Sequence, residues 1–410
     1  MNDRTIIVCD GLDWNDGVTT RLVEMELGIP KREAAEYGGP GFDIARLGAV
    51  DMSGLVESRF VIDVFGSDPD SIVATVSQIS ASVRERASIT IGLRGSAYTG
   101  TLVSVLGSCI EIPTDEPWRS MLARGERTRV EVTVKRDPYV YGPTETLADA
   151  SAYDLPAVID LSAQTGDHPA PLDILADFGA GEATQFFAGR YPDAGAATGD
   201  FVHLATALSW SGGAATTDAA GYPDGVGNTI WRADASAGVS AAIDVTDYEP
   251  GEYLVLCRGK SSNAAGVVYA RQQYGAAVRL TGTTLALYPL GTVTLPTAAV
   301  RGAGAATLTV YLRGDDTYYA CANAFYLVPA SFGGLIGWQA ATGHAHALRW
   351  SSDMLYADDV GALGEAFGGR RIVGKGGCLV AVAELATPAA TTAADMTVTD
   401  EPRWEQFPAL

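Results

Sequence analysis

Arg127-Thr-Arg-Val-Glu-Val-Thr-Val-Lys135 places Val130, Val132 and Val134 on one face and Arg129, Glu131 and Thr133 on the other. Successive strand residues point to opposite sides, so this period of two describes a strand that is covered on one face and wet on the other. Working outward, Ser58 to Phe65, Ser88 to Leu93 and Gly100 to Ile112 read the same way, as do Thr5 to Cys9 and Val18 to Leu27. The last two flank Asp10-Gly-Leu-Asp-Trp-Asn-Asp-Gly17, a turn-rich segment that closes a hairpin. One stretch has a helical period instead. Asp68-Pro69 offers an N-cap followed by proline at the first helical position, and Ile72, Val76, Ile79 and Val83 recur every three or four residues. This predicts one helix from about 68 to 87, with an apolar stripe that covers a sheet.

Between Gly28 and Glu57 the pattern lapses. Gly38, Gly39, Gly41, Gly48 and Gly54 interrupt it, and Tyr37, Phe42, Ile44, Leu47, Val50 and Leu55 stand without strand alternation. An uncovered apolar loop of this length is uncommon in a compact domain, so these six residues are expected to form a subunit interface. A small, polar linker from Pro143 to Ala152 divides this unit from a second series of strands. There, Leu254 and Leu256 face opposite to Tyr253, Val255 and Cys257, and Leu308, Val310 and Leu312 alternate with Thr309 and Tyr311. The expected fold is mainly β. Residues 1–148 form a β-barrel or sandwich with one helix, and residues 149–410 form one large antiparallel jelly-roll sandwich with a long excursion from Gly212 to Gly227.

Composition narrows the function. Hydrophobic residues make up 47% of the 410-residue chain and charged residues 19%, which excludes wholesale disorder. With 28 basic and 49 acidic residues the net charge is −21, and no basic run offsets it. Tight binding to nucleic-acid phosphates or to an anionic membrane needs clustered positive charge, so neither is expected as the main role. An acidic surface is, however, one past which DNA can slide without sticking. No apolar run reaches the length of a membrane span, and Met1 to Gly11 lacks the build of a signal peptide, so a soluble, non-exported chain is expected. The five cysteines lie far apart without C-x-x-C spacing, as small core residues do in a reducing compartment.

Motifs for chemistry are weak. Gly369-Arg-Arg-Ile-Val-Gly374-Lys375-Gly376 matches phosphate-loop spacing, but glycine stands where Ser or Thr must ligate magnesium, and a strand follows instead of a helix. Asp13 to Gly17 lacks the twelfth-position glutamate of a calcium loop, and Asp244, Asp247 and Glu249 read as turn acids. His344 and His346 share one side of a strand, but two ligands make no metal site. No G-x-S-x-G occurs, and a pair of carboxylates for glycosidic cleavage cannot be located from sequence. The expectation is therefore no catalytic residue, no metal and no cofactor. Trp210, Tyr222 and Trp231 are candidates for stacking on sugar rings, with anchoring of the sandwich as the competing role.

The ordered series of phrases resembles a family. A hairpin start, a long glycine-bearing loop, one helix, Gly107-Ser-Cys-Ile-Glu-Ile-Pro113 and Arg136-Asp-Pro-Tyr-Val-Tyr-Gly142 resemble the first domain of distal tail proteins of long-tailed, non-contractile phages. Pro156-Ala-Val-Ile-Asp160, Gly251-Glu-Tyr-Leu-Val-Leu-Cys-Arg258, Phe325-Tyr-Leu-Val-Pro329 and Thr397-Val-Thr-Asp-Glu-Pro-Arg-Trp404 resemble the sandwich halves of phage minor tail proteins. The resemblance implies a non-enzymatic virion protein of the tail tip, made in the host cytoplasm. It implies a hexameric ring that joins the tail tube protein to the tail-tip hub, with DNA only as passing cargo. It also implies a galectin-like second domain, and the alternative role is a saccharide-binding adhesin that contacts host cell-wall glycan.

Overall fold

The computed structural model describes residues 5–28, 31–32, 52–53, 55–83, 87–94, 99–112, 115–222, 229–234, 236–297, 306–340, 343–351, 354–358, 360–361, 364–369, 371–387 and 392–404. The chain divides into two compact units, one of residues 1–145, 165–170 and 401–410, the other of residues 146–164 and 171–400.

In the first unit the antiparallel strands run in the order Leu12–Asp13, Thr5–Cys9, Ser88–Leu93, Thr99–Glu111, Arg127–Arg136, Val56–Phe65 and Thr20–Glu26. Alternation decides the burial. Thr128, Val130, Val132 and Val134 of the Arg127–Arg136 strand point inward, with Phe60, Ile62 and Val64 of its neighbour. The long strand Thr99–Glu111 pairs with Ser88–Leu93 through its first half and with Arg127–Arg136 through its second. Its register shifts between Ser104 and Leu106 and again between Leu106 and Cys109. Such irregularities bend a strand and let one sheet curl over its own core. No closed barrel results among the described residues.

The signalled helix spans Pro69–Ser82, and its N-cap works as the sequence implies: the Asp68 carboxylate accepts from the Ser71 amide at 2.8 Å. Ile72 and Ile79 are fully buried against the sheet. The helix stops earlier than residue 87, with Val83 at its C-cap. A second helix, Glu116–Ala123, has no counterpart in the sequence reading, because eight residues hold only one apolar repeat, Trp118 with Leu122. Its Trp118 ring lies 4.8 Å from the Arg129 guanidinium. Distant segments complete this unit: Val140 pairs with Trp404 and Tyr141 with Arg403.

The second unit is β-sandwich, and among the described residues its strands form four sheets. Layer one contains Glu145–Leu155, Thr392–Asp400, Ala170–Asp177 and Ala347–Ser351. Layer two contains Ala157–Asp160, Cys378–Leu385, Ala183–Tyr191, Leu335–Ala340 and Gly364–Gly368. Layer three contains Ala214–Thr217, Thr229–Ala233, Ala320–Pro329, Gly251–Ser261 and Ala286–Leu295. Layer four contains Val239–Asp244, Thr307–Arg313, Tyr269–Gln272 and Val278–Arg279. Layers three and four lie in the chain between Ala183–Tyr191 and Leu335–Ala340, which pair with each other, so one sandwich is inserted into the other.

Three cores hold the stack. Phe186, Trp338, Leu348 and Met396 fill the space between layers one and two. Phe187 and Val382 meet Leu254, Leu256, Tyr326 and Val328 between layers two and three. Tyr253, Val255, Phe325 and Val310 fill the space between layers three and four. The middle layers are thus buried on both faces, and every residue of Ala320–Pro329 is buried. The layers approach so closely that a β-carbon on Gly189 would fall 1.8 Å from the Pro329 carbonyl oxygen. The supposed excursion from Gly212 is in part a hairpin, Ala214–Thr217 against Thr229–Ala233.

A buried ion pair crosses the middle core. Arg258 of layer three donates to Glu384 of layer two through Nε at 2.9 Å and through its second terminal nitrogen at 3.3 Å, with both side chains nearly inaccessible. Burial pushes the Glu384 carboxyl above its ordinary range, and Arg258 and the Leu385 amide pull it back. Removing one partner of such a pair costs about 3–5 kcal/mol, whereas replacing both by apolar groups is often neutral. Arg258→Met should therefore lower the urea midpoint of the second unit steeply, and adding Glu384→Leu should restore most of it. Equal losses in the single and the double variant would contradict this account.

Candidate functional site

Trp210 and Trp231 meet at the hairpin edge of layer three. Their rings stack at 6.0 Å with an interplanar angle of 11°, and Trp210 also lies 6.1 Å from Phe325. Both indole N–H groups are spent within the fold: Trp210 donates to the Ala205 carbonyl at 2.7 Å and Trp231 to that of Gly212 at 3.1 Å. Gly213, at φ +94°, makes this geometry accessible, since a β-carbon there would sit 2.7 Å from Trp231 Nε1. Tyr222 is half-buried, and its amide donates to Asn323, which also accepts from Arg258. Tyr222 makes no ring contact with the tryptophan pair among the described residues. Of the expected interface residues, Tyr37, Phe42, Ile44, Leu47 and Val50 lie outside the described residues, and Leu55 is 47% exposed.

The weaker motifs resolve into turns and strands. Asp16 accepts amide hydrogen bonds from Val18, Thr19 and Thr20 at 2.7, 2.8 and 2.9 Å. Burial pushes its carboxyl up, but these bonds and the Thr19 hydroxyl outweigh that and hold it at about 2. Lys375 lies between the strands Ile372–Gly374 and Cys378–Leu385, with no helix following. His344 and His346 each place Nε2 3.7 Å from the Glu182 carboxylate. Among the described residues no three His, Cys, Asp or Glu side chains converge to hold a metal ion.

A recess that the sequence did not reveal lies beside layer three, with a volume of about 380 Å³. Tyr191, Asp193, Asp200, His203, Asp244 and Tyr248 line it. Segments 191–203 and 244–248 meet only through the fold, and the acids read alone as solvated turns. His203 Nε2 lies 2.8 Å from the Tyr248 hydroxyl, which donates its own proton to the Asp200 carbonyl. With that proton spent, His203 must donate through Nε2. Burial lowers its imidazole to about 4, against the upward pull of Asp200 and Asp244. The Thr246 hydroxyl and amide hold Asp244 below the usual carboxylate range.

Among the described residues, no carboxyl is both raised and accessible and no thiol is lowered. General acid work at neutral pH needs a raised, accessible carboxyl, and a nucleophilic cysteine needs a lowered thiol. The raised carboxyl, Glu384, is shut between two sheets on Arg258. Burial pushes the Cys321 and Cys378 thiols up to about 12.

No protein-family model matches the sequence, and no curated protein matches it. Among solved structures the chain is similar to the SPP1 Dit protein, described as a paradigm of the hub adsorption apparatus in phages infecting Gram-positive bacteria. Identity is 12%, covering 79% of this chain and 98% of that one, with a TM-score of 0.30. It is also similar to chains of the phage p2 baseplate in its activated conformation. With strontium the identity is 10%, covering 96% of this chain and 97% of that one, at a TM-score of 0.31. With calcium these figures are 9%, 97%, 98% and 0.32.

A histidine whose folded value lies below its unfolded value of about 6.5 takes its proton later than the unfolded chain does. Stability linked to His203 is therefore intact above that value and falls as pH drops towards about 4. The His203 ring signals in NMR should titrate with a midpoint near 4, and His203→Gln should flatten the stability profile across that window. A midpoint near 6.5 would contradict the burial argument.

Proposed function

We propose that this protein is a structural, non-enzymatic component of a phage tail tip, of the distal tail kind. It assembles as a hexameric ring between the tail tube protein and the tail-tip hub, resides in the virion, and lets DNA pass as cargo. The observation that carries this reading is what separates two paired strands of the first unit in sequence. Thr20–Glu26 and Val56–Phe65 are hydrogen-bonded neighbours, which a short turn could join. Between them in sequence lies instead a separate two-stranded ribbon, in which Lys31 pairs with Ser53 and Arg32 with Met52. Among the described residues this ribbon pairs with no other strand.

A connection of this length, carrying Tyr37, Phe42, Ile44, Leu47 and Val50 in sequence, suits a heterologous contact, and a heterologous contact whose rotation closes makes a ring. The net charge of −21 suits a surface along which DNA moves freely. The alternative reading, an adhesin that uses Trp210, Tyr222 and Trp231, has less support, because the two indoles stack on each other and their N–H groups are already bonded.

Native mass spectrometry of the purified protein, with a variant in which residues 33–51 are replaced by a short Gly-Ser linker, tests the proposal. The wild type should form a closed ring and the variant a monomer with unchanged far-UV circular dichroism. A ring that survives the replacement, or a wild-type chain that is monomeric both alone and in tail particles, would overturn it.

A further inference from the structure

The outer face of layer four carries a cationic and aromatic checkerboard. Tyr269 stands directly opposite Arg279 on one neighbouring strand and Arg313 on the other. Two residues along, Arg271 stands opposite Tyr311, and its guanidinium lies 4.1 Å over that ring. Neighbouring strands are about 4.8 Å apart, so Arg279 and Arg313 flank Tyr269 at a backbone separation of about 10 Å. A groove of about 770 Å³ runs over this face. Part of its lining, Gly238, Gly275, Ala276 and Ala277, has little or no side chain and lets a ligand approach closely.

The charges stand out against the rest of the molecule. In a chain with 49 acidic and 28 basic residues, none of these three guanidiniums lies within ion-pair distance of a carboxylate among the described residues, and Arg279 donates to the Gly266 carbonyl at 3.2 Å. Two acids share the neighbourhood: Asp315 lines the groove, and Asp316 feels the Arg313 charge. Asp315 accepts from the amides of Val267 and Thr317 at 3.0 Å, and Asp316 from that of Ser236 at 2.9 Å. Arg271 and Arg313 are exposed, while Tyr269 and Tyr311 are half-buried, so the rings are held and both cations are accessible to a ligand.

We propose that this face binds an anionic, polyhydroxylated polymer, a glycan or polyol chain bearing repeated phosphodiester or carboxylate groups. Guanidinium forks match either anion in bidentate fashion, and tyrosine rings stack on the C–H faces of sugars and polyols. An acidic peptide fits less well, because it brings carboxylates but no sugar or polyol C–H face for the tyrosine rings to stack on. Three cations also make a weak footprint for nucleic acid. The inference does not depend on ring formation, since a single chain carries the whole face.

Calorimetric titration of the full-length protein with poly(glycerol phosphate), polygalacturonate, neutral dextran, poly-glutamate and oligo-thymidine provides the test. At least one of the first two should bind roughly tenfold or more tighter than the last three, and should weaken as salt rises from about 50 to about 500 mM. Which of the two binds assigns the anion as phosphodiester or carboxylate. The double change Arg271→Gln and Arg313→Gln, and separately Tyr269→Ala, should each weaken binding roughly tenfold with unchanged circular dichroism, while Arg124→Gln on the first unit should not. Absence of binding, equal binding of poly-glutamate or oligo-thymidine, or binding that survives the arginine changes would overturn the proposal.

Discussion

The second unit depends on one constraint: two sheets that are apolar on both faces must be locked together at a single register. Apolar packing alone is nearly indifferent to sliding, because dispersion and burial are non-directional. The Arg258–Glu384 pair is directional, and an offset would leave two charges in a core without partners. Asn323 extends the pair by accepting from Arg258, and Gln185 adds a second polar link between the layers through the Leu287 carbonyl at 3.0 Å. The close approach of Gly189 to Pro329 is compatible with this register only because glycine has no side chain. Once layers two and three are locked, layers one and four each need to cover only one remaining apolar face.

Much of this was legible in the sequence, and the failures have physical causes. Alternation through Val130, Val132 and Val134 gave a strand with one buried face, which the structure contains. Asp68-Pro69 and the stripe at Ile72 and Ile79 gave the helix, because capping and periodicity act within a few residues. The opposed faces of Leu254 and Tyr253 were also readable. What could not be read was that both faces are buried, in two different cores. A run such as Ala320-Cys-Ala-Asn-Ala-Phe-Tyr-Leu-Val-Pro329 carries the matching signal, continuous apolarity without alternation, but one chain of β segments does not reveal how many sheets they form. The insertion of one sandwich into another is likewise a pairing between distant strands, Ala183–Tyr191 with Leu335–Ala340, and local sequence does not encode it.

The candidate sites follow the same division. Trp210 and Trp231 could be named as aromatic candidates, but only the fold shows that their rings stack on each other. The recess at His203 and the checkerboard at Tyr269, Arg271 and Arg313 join residues from separate strands, each unremarkable in its own segment. In the checkerboard, cross-strand register gathers scattered arginines and tyrosines onto one face. The two proposed roles thus fall on different units: an arm between paired strands of the first, and a cationic face on the outermost sheet of the second.

The central functional claim is that residues 28–54 of one chain are covered by an identical neighbour. Electron cryomicroscopy of intact tail particles tests it most directly, since copy number and neighbours are then seen together. The account predicts a closed ring at the tail tip, with the ribbon of Lys31 and Ser53 extended onto the adjacent chain. A single copy, or an arm packed on its own unit with no sister chain in contact, would contradict it.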